Sequence, residues 1–145
     1  MVSRNMQNYL RLVVKADFGQ DGAKEYLADG EGDDALVDAY HEDVVIHRPP
    51  SLPQGGVHRG RDAWRAMHGI VRAHWDQKFK ILNLWDVPED DVIILNATME
   101  WTGKETGRSA KVPFIGVLRF RDGLIVEVEI FHQDVVAILD TLDPA

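Results

Sequence analysis

The 145-residue chain contains no cysteine, which excludes disulfides, thiolate nucleophiles and thiolate metal sites. It is short of positive charge: 16 Lys and Arg stand against 24 Asp and Glu, a net −8. With no basic cluster, neither nucleic acid nor an anionic membrane is an expected partner. No apolar run approaches transmembrane length, and the first residues lack a continuous apolar core, so the expectation is no export, no membrane insertion and a cytoplasmic setting. Internal repeats, linkers and low-complexity segments are absent too. The order Ser-His-Asp, a phosphate-binding glycine loop and a dinucleotide fingerprint are likewise missing. The histidines at 41, 47, 58, 68, 74 and 132 include no pair at helical ligand spacing beside an acid, so neither a metal nor a cofactor is expected.

What the chain does have is a hydrophobic content of 45% and enough length for one core. Val92–Thr102, Ala110–Arg121 and Leu124–Gln133 read as three consecutive strands, the last two joined by Asp122-Gly123, a strong hairpin signal. In the last strand Leu124, Val126, Val128, Ile130 and His132 alternate onto one face, and Ile125, Glu127, Glu129, Phe131 and Gln133 onto the other. An apolar face that ends in a histidine is the first sign of a site. Upstream, apolar spacing predicts helices over about 5–16, over 21–29 and from Asp33 to Tyr40, then strands at Val44–Arg48 and Val57–Arg59. The spacing of Trp64, Met67 and Val71 predicts a long helix from Arg61 to His74 with His68 in its stripe. A strand over Lys78–Asp86 precedes the meander, and Asp134 caps a closing helix. Helices segregated from a largely antiparallel sheet make an α+β domain.

The run Tyr40-His41-Glu42-Asp43-Val44-Val45-Ile46-His47-Arg48-Pro49-Pro50, followed by Gly55-Gly56-Val57-His58-Arg59-Gly60-Arg61-Asp62-Ala63, resembles the SnoaL-like branch of the NTF2-like superfamily, which also holds ketosteroid isomerase and polyketide cyclases. Asp122–Val128 and the ending Phe131–Leu139 share the resemblance. It implies a cone, a curved sheet wrapped around one long helix and enclosing an apolar pocket. It also implies an N-terminal helical extension over 1–20, a domain over 21–145 and a homodimer formed on the sheet face bearing Glu127 and Glu129. Because the fold hosts enzymes and binding domains alike, function rests on the pocket.

The isomerase's catalytic carboxylate, just before proline, is Arg48 here. A guanidinium does not serve as a base but grips an anion with a fork of donors; the alternative is a space-filling partner of a nearby carboxylate. The isomerase's oxyanion-donating acid falls at Gly116, flanked by Phe114 and Leu118, so that carboxylate pair is absent. His132 either moves a proton or is a core histidine bonded to backbone. His68 either touches ligand or is satisfied in the core, and Tyr40 either supports the pocket or packs. The expected catalytic set is His132, Arg48 and His68, with Tyr40, Trp64, Met67, Phe114, Gly116, Val128 and Ile130 around the ligand. The expected activity is cofactor-independent proton transfer on a hydrophobic carbonyl compound, as in an isomerase, cyclase or dehydratase. The alternatives are a binding domain for an apolar or anionic small molecule and a dimerising module with a filled core.

Overall fold

The computed structural model describes residues 2–11, 24–27 and 37–143. Helix α1 spans Arg4–Tyr9, and its Ser3 cap accepts from the Met6 amide. Ser3 also bonds Asp86, Asn5 bonds Asp91, and Asn8 donates to the Gly123 carbonyl. Met6 and Tyr9 enter the main core. The expected helix over 5–16 therefore has its first turns here, and its remainder lies outside the described residues.

Two expectations upstream are corrected. Within the helix expected over 21–29, Lys24–Leu27 is a strand, β1, paired antiparallel with Lys78–Ile81. A run this short fits either periodicity, and an open sheet edge settles the choice by supplying backbone partners. The helix expected from Asp33 to Tyr40 contains a single 3-10 turn at Val37–Ala39, with 33–36 outside the described residues. Tyr40 begins strand β2, Tyr40–Arg48.

From there the sequence pattern and the structure agree closely. Strand β3 is Gly56–Arg59 and helix α2 is Arg61–His74. Gly60 reaches φ +88° to turn the chain into α2, a conformation glycine adopts without strain. Trp64, Met67 and Val71 form the buried stripe of α2. Trp75 ends the helix and opens β4, Trp75–Val87, three residues before the expected start. Strands β5 (Val92–Gly103), β6 (Ser109–Arg121) and β7 (Leu124–His132) form the meander. Asp122 and Gly123 turn it with φ +54° and +80°. Asp134 caps the last helix, α3 (Val135–Asp140), by accepting from the Ala137 amide at 3.0 Å.

The seven strands lie in the order β1-β4-β5-β6-β7-β2-β3. All neighbours are antiparallel except β2 and β7, whose parallel pairing carries the chain across from one half of the sheet to the other. Extra residues bend the sheet: Leu82 in β4 and Val126 in β7 have no partner in the ladder. Such bulges increase twist and curl a sheet. The bulge at Val126 also corrects the expected alternation of β7. Ile125, not Leu124 or Val126, is the buried residue at that end, and the inward series resumes at Val128 and Ile130.

The concave face encloses two apolar clusters. The larger joins α1 and α2 to the sheet through Met6, Trp64, Met67, Ile46, Leu95, Phe114 and Val128. The smaller gathers Leu52, Val71, Trp75, Trp101, Val112 and Ile138 beneath α3. Side chains of this size each stabilise the fold by roughly 1.5–3 kcal/mol on burial.

Candidate functional site

Strand alternation sends neighbours in β2 to opposite sides. His47 turns outward, where its Nε2 lies 3.2 Å from Glu127. Arg48 turns inward and its Nε is buried with no hydrogen-bond partner among the described residues. Its guanidinium is held below its ordinary basicity by burial, with the nearby Tyr40 hydroxyl opposing that shift.

His132 reaches the same space from the end of β7. Its ring meets Trp101 edge-on at 5.3 Å and leans on Phe114 at 5.6 Å. Both ring nitrogens are buried, and neither has a partner among the described residues. By contrast, the ring nitrogens of His41, His47, His58 and His74 each have one: the Asp43 amide, Glu127, the Gln54 carbonyl and the Ile70 carbonyl. Bonding to backbone, the bland alternative for His132, is found instead at the half-buried His58 and His74.

His68 enters from α2, its ring 4.3 Å from that of Trp64. Trp64 in turn stands 5.1 Å from the ring of Tyr40 and hydrogen-bonds it. Burial first, then the charge of Arg48, lowers His68 to about 3 and His132 to about 4. Burial raises the Tyr40 hydroxyl, while Trp64 and Arg48 oppose the rise. Arg48 acts electrostatically on Tyr40, His68 and His132, so β2, α2 and β7 bring these groups into one neighbourhood. At neutral pH it holds one cation, two neutral imidazoles and a neutral phenol.

Arg48 and His132 line a groove of about 380 Å³ together with His47, Pro49, Pro50, Glu129, Ile130, Phe131 and Val135, whereas Tyr40 and His68 stand outside its lining. Of the residues expected around a ligand, Ile130 forms its wall. Trp64, Met67, Phe114 and Val128 sit behind the site in the main core. Gly116 lies between Leu95 and Ile130, and a Cβ there would come within 3.2 Å of the Ile130 side chain. The missing donor at that position is therefore replaced by close packing.

Sequence reasoning missed Trp101 as a polar group. It is 1% exposed, and its indole N–H has no partner among the described residues. Its neighbour Trp75 donates to Thr141 Oγ1 at 2.7 Å. No sequence signal distinguishes the two. Val135 and the Pro49-Pro50 wall were missed because they meet the groove only through the β2–β7 pairing. A metal cation in the hollow would face the repulsion of Arg48. Among the described residues, no three His, Asp or Glu side chains gather where one ion could bridge them.

The sequence profile of the SnoaL-like domain matches residues 24–128. Among curated proteins none matches the chain. In shape it is similar to an NTF2-like protein of unknown function from Burkholderia pseudomallei K96243, with TM-score 0.78 and 22% identity over 97% of this chain and 98% of that one. It is also similar to TerC, co-crystallised with polyporic acid, with TM-score 0.77 and 17% identity over 97% and 98%. A candidate SnoaL-like polyketide cyclase from Jannaschia sp. CCS1 follows with TM-score 0.72 and 16% identity over 96% and 91%. The cone, its long helix and the extent of the profile match make this chain a member of the SnoaL-like family, built on the NTF2-like fold.

Proposed function

We propose that the protein is a small-molecule enzyme working without a cofactor, moving a proton on a hydrophobic carbonyl compound held in the cone. In this scheme Arg48 stabilises the negative charge that develops on the carbonyl oxygen. His132 takes and returns the proton, and His68 and Tyr40 orient the substrate from the inner side. The observation that carries the reading is that Arg48 and His132, both half-buried, line one groove with side-chain nitrogens shut off from solvent and lacking partners among the described residues. Native interiors rarely leave such groups unsatisfied without a use for them. TerC, co-crystallised with an organic acid, supports an acidic or enolisable ligand. The absence of cysteine suits a cytosolic setting.

The test is turnover of a panel of aromatic and polyketide-like ketones with exchange of the α-proton followed in D₂O. His132→Ala is expected to lower the rate by about a hundredfold or more, and an unchanged rate removes His132 from the mechanism. A second reading, a domain that binds an anion and converts nothing, draws on the low basicity of His132, about 4. Ligand-dependent stabilisation with no exchange on any ketone would favour it.

For the assembly, we propose a homodimer through the convex face of the sheet. Phe131 is 55% exposed there, beside exposed Ile115 and, further along, Trp85. Sedimentation analysis of Phe131→Asp is expected to show monomers where the parent sediments as a dimer.

A further inference from the structure

Counting donors and acceptors narrows what the hollow can accept. The Arg48 Nε and the Trp101 Nε1 are buried without partners, and both can only donate. Arg48 lines the same groove as His132, and Trp101, behind that lining, meets the His132 ring edge-on at 5.3 Å. A ligand group that satisfies them must be rich in acceptors, which favours a carboxylate, an enolate or a similar oxyanion. A neutral His132 fits such a group poorly. It offers one N–H and one bare lone pair, and both of its nitrogens are buried without partners.

We propose that the site takes up an organic anion together with one proton: the anionic oxygen lies between Arg48 and the Trp101 indole N–H, and the proton settles on His132. This rests on the reading of the hollow as an anion-binding site. The proton comes from solvent, and the imidazolium so formed donates one N–H to the anion and no longer carries a bare lone pair. The driving force is electrostatic. Burial and the charge of Arg48 keep His132 neutral, and an anion in contact with Arg48 cancels the second of these. His68 is the poorer acceptor of the proton, because it stands outside the groove's lining and burial and Arg48 lower it further, to about 3.

The other groups facing His132 are few. Arg48 comes from β2 and His68 from α2, while β5, β6 and α3 present Trp101, Phe114 and Val135, none of which titrates. At the lip of the groove stand His47 and Glu129, engaged on the convex face with Glu127 and Arg119 respectively.

The probe is 2-naphthalenesulfonate, which stays anionic throughout the working range, so any pH dependence belongs to the protein. Calorimetric titration of the full chain from pH 8 to 5 is expected to show affinity rising on acidification, approaching about tenfold per pH unit. Buffers of different ionisation enthalpy are expected to report close to one proton taken up at the acidic end. His132→Gln is expected to bind the probe with the slope abolished. Trp101→Phe is expected to weaken binding at every pH with the slope intact. Should either variant fail to fold, imidazole ¹⁵N shifts of the unaltered protein with and without probe read the protonation of His132 directly. Binding that is independent of pH overturns the proton uptake and leaves the anion site standing. A slope that survives His132→Gln, or that disappears in His47→Gln, overturns the assignment to His132. Binding of the neutral 2-acetonaphthone alone, or of neither compound, overturns this inference and the anion-site reading together.

Discussion

The two faces of the sheet around β2, β6 and β7 treat charge in opposite ways. On the convex face Arg119 pairs with Glu127 at 2.9 Å and with Glu129 at 3.3 Å, and His47 completes the chain through Glu127. On the concave face Arg48, one residue from His47, forms no ion pair with any described residue, and His132 stands beside it unbonded. The paired charges are partly wet and bring little stability. Arg48 and His132 are half-buried, but their unpartnered nitrogens are shut off from solvent, and such shielded polar atoms cost the fold free energy. The sheet thus pairs its solvent-side charges and leaves polar atoms on its interior side without partners among the described residues.

The contrast can be attacked most strongly with acid. His68 and His132 fold with values of about 3 and 4, below the ordinary 6.5, so the unfolded chain binds their protons first as pH falls. Stability is therefore complete above about pH 6.5 and is lost toward the folded values, by up to about 2 kcal/mol per histidine between pH 6.5 and 5. Urea unfolding across that range checks it, and His132→Gln should remove its share of the slope. Next in size is Arg48→Met, which deletes a half-buried cation with an unpartnered nitrogen and fills its place with apolar volume. It should raise stability by roughly 1–3 kcal/mol while weakening an anionic probe about a hundredfold, as thermal unfolding with and without probe would show. Smaller again is the difference between two tryptophans. Trp75→Phe should cost about 1 kcal/mol more than Trp101→Phe, because only Trp75 has a hydrogen bond to lose. On the convex face Glu127→Gln should cost less than about 1 kcal/mol, shrinking further in salt.

The elements that sequence made legible are those whose signals are local. Helix α2 announces itself through Trp64, Met67 and Val71, the meander through Asp122-Gly123, and α3 through its Asp134 cap. β1 was hidden because four residues carry no period of their own and take their conformation from β4. Tyr40 was misassigned for a related reason: it belongs to β2 only through its pairing with Ile125 across the parallel seam. Arg48, His132 and His68 could be singled out as candidates because a charge before Pro49 and histidines in apolar stripes break a pattern. Their convergence depends on β2 lying beside β7, which no short-range signal encodes. Trp101 was beyond reach altogether, since only the folded surroundings separate its unpartnered N–H from that of Trp75, which donates to Thr141.

Val126 has a consequence out of proportion to its chemistry. Omitting it would leave Ile125 and Glu127 as direct neighbours, still facing opposite ways, so the inside–outside code of the last strand would survive intact. What would go is curvature: the strand would straighten, and the vessel's girth near its seam would change. Capacity in this architecture is thus adjustable by adding or dropping a single residue that never touches the contents, leaving the reactive groups free to vary on their own.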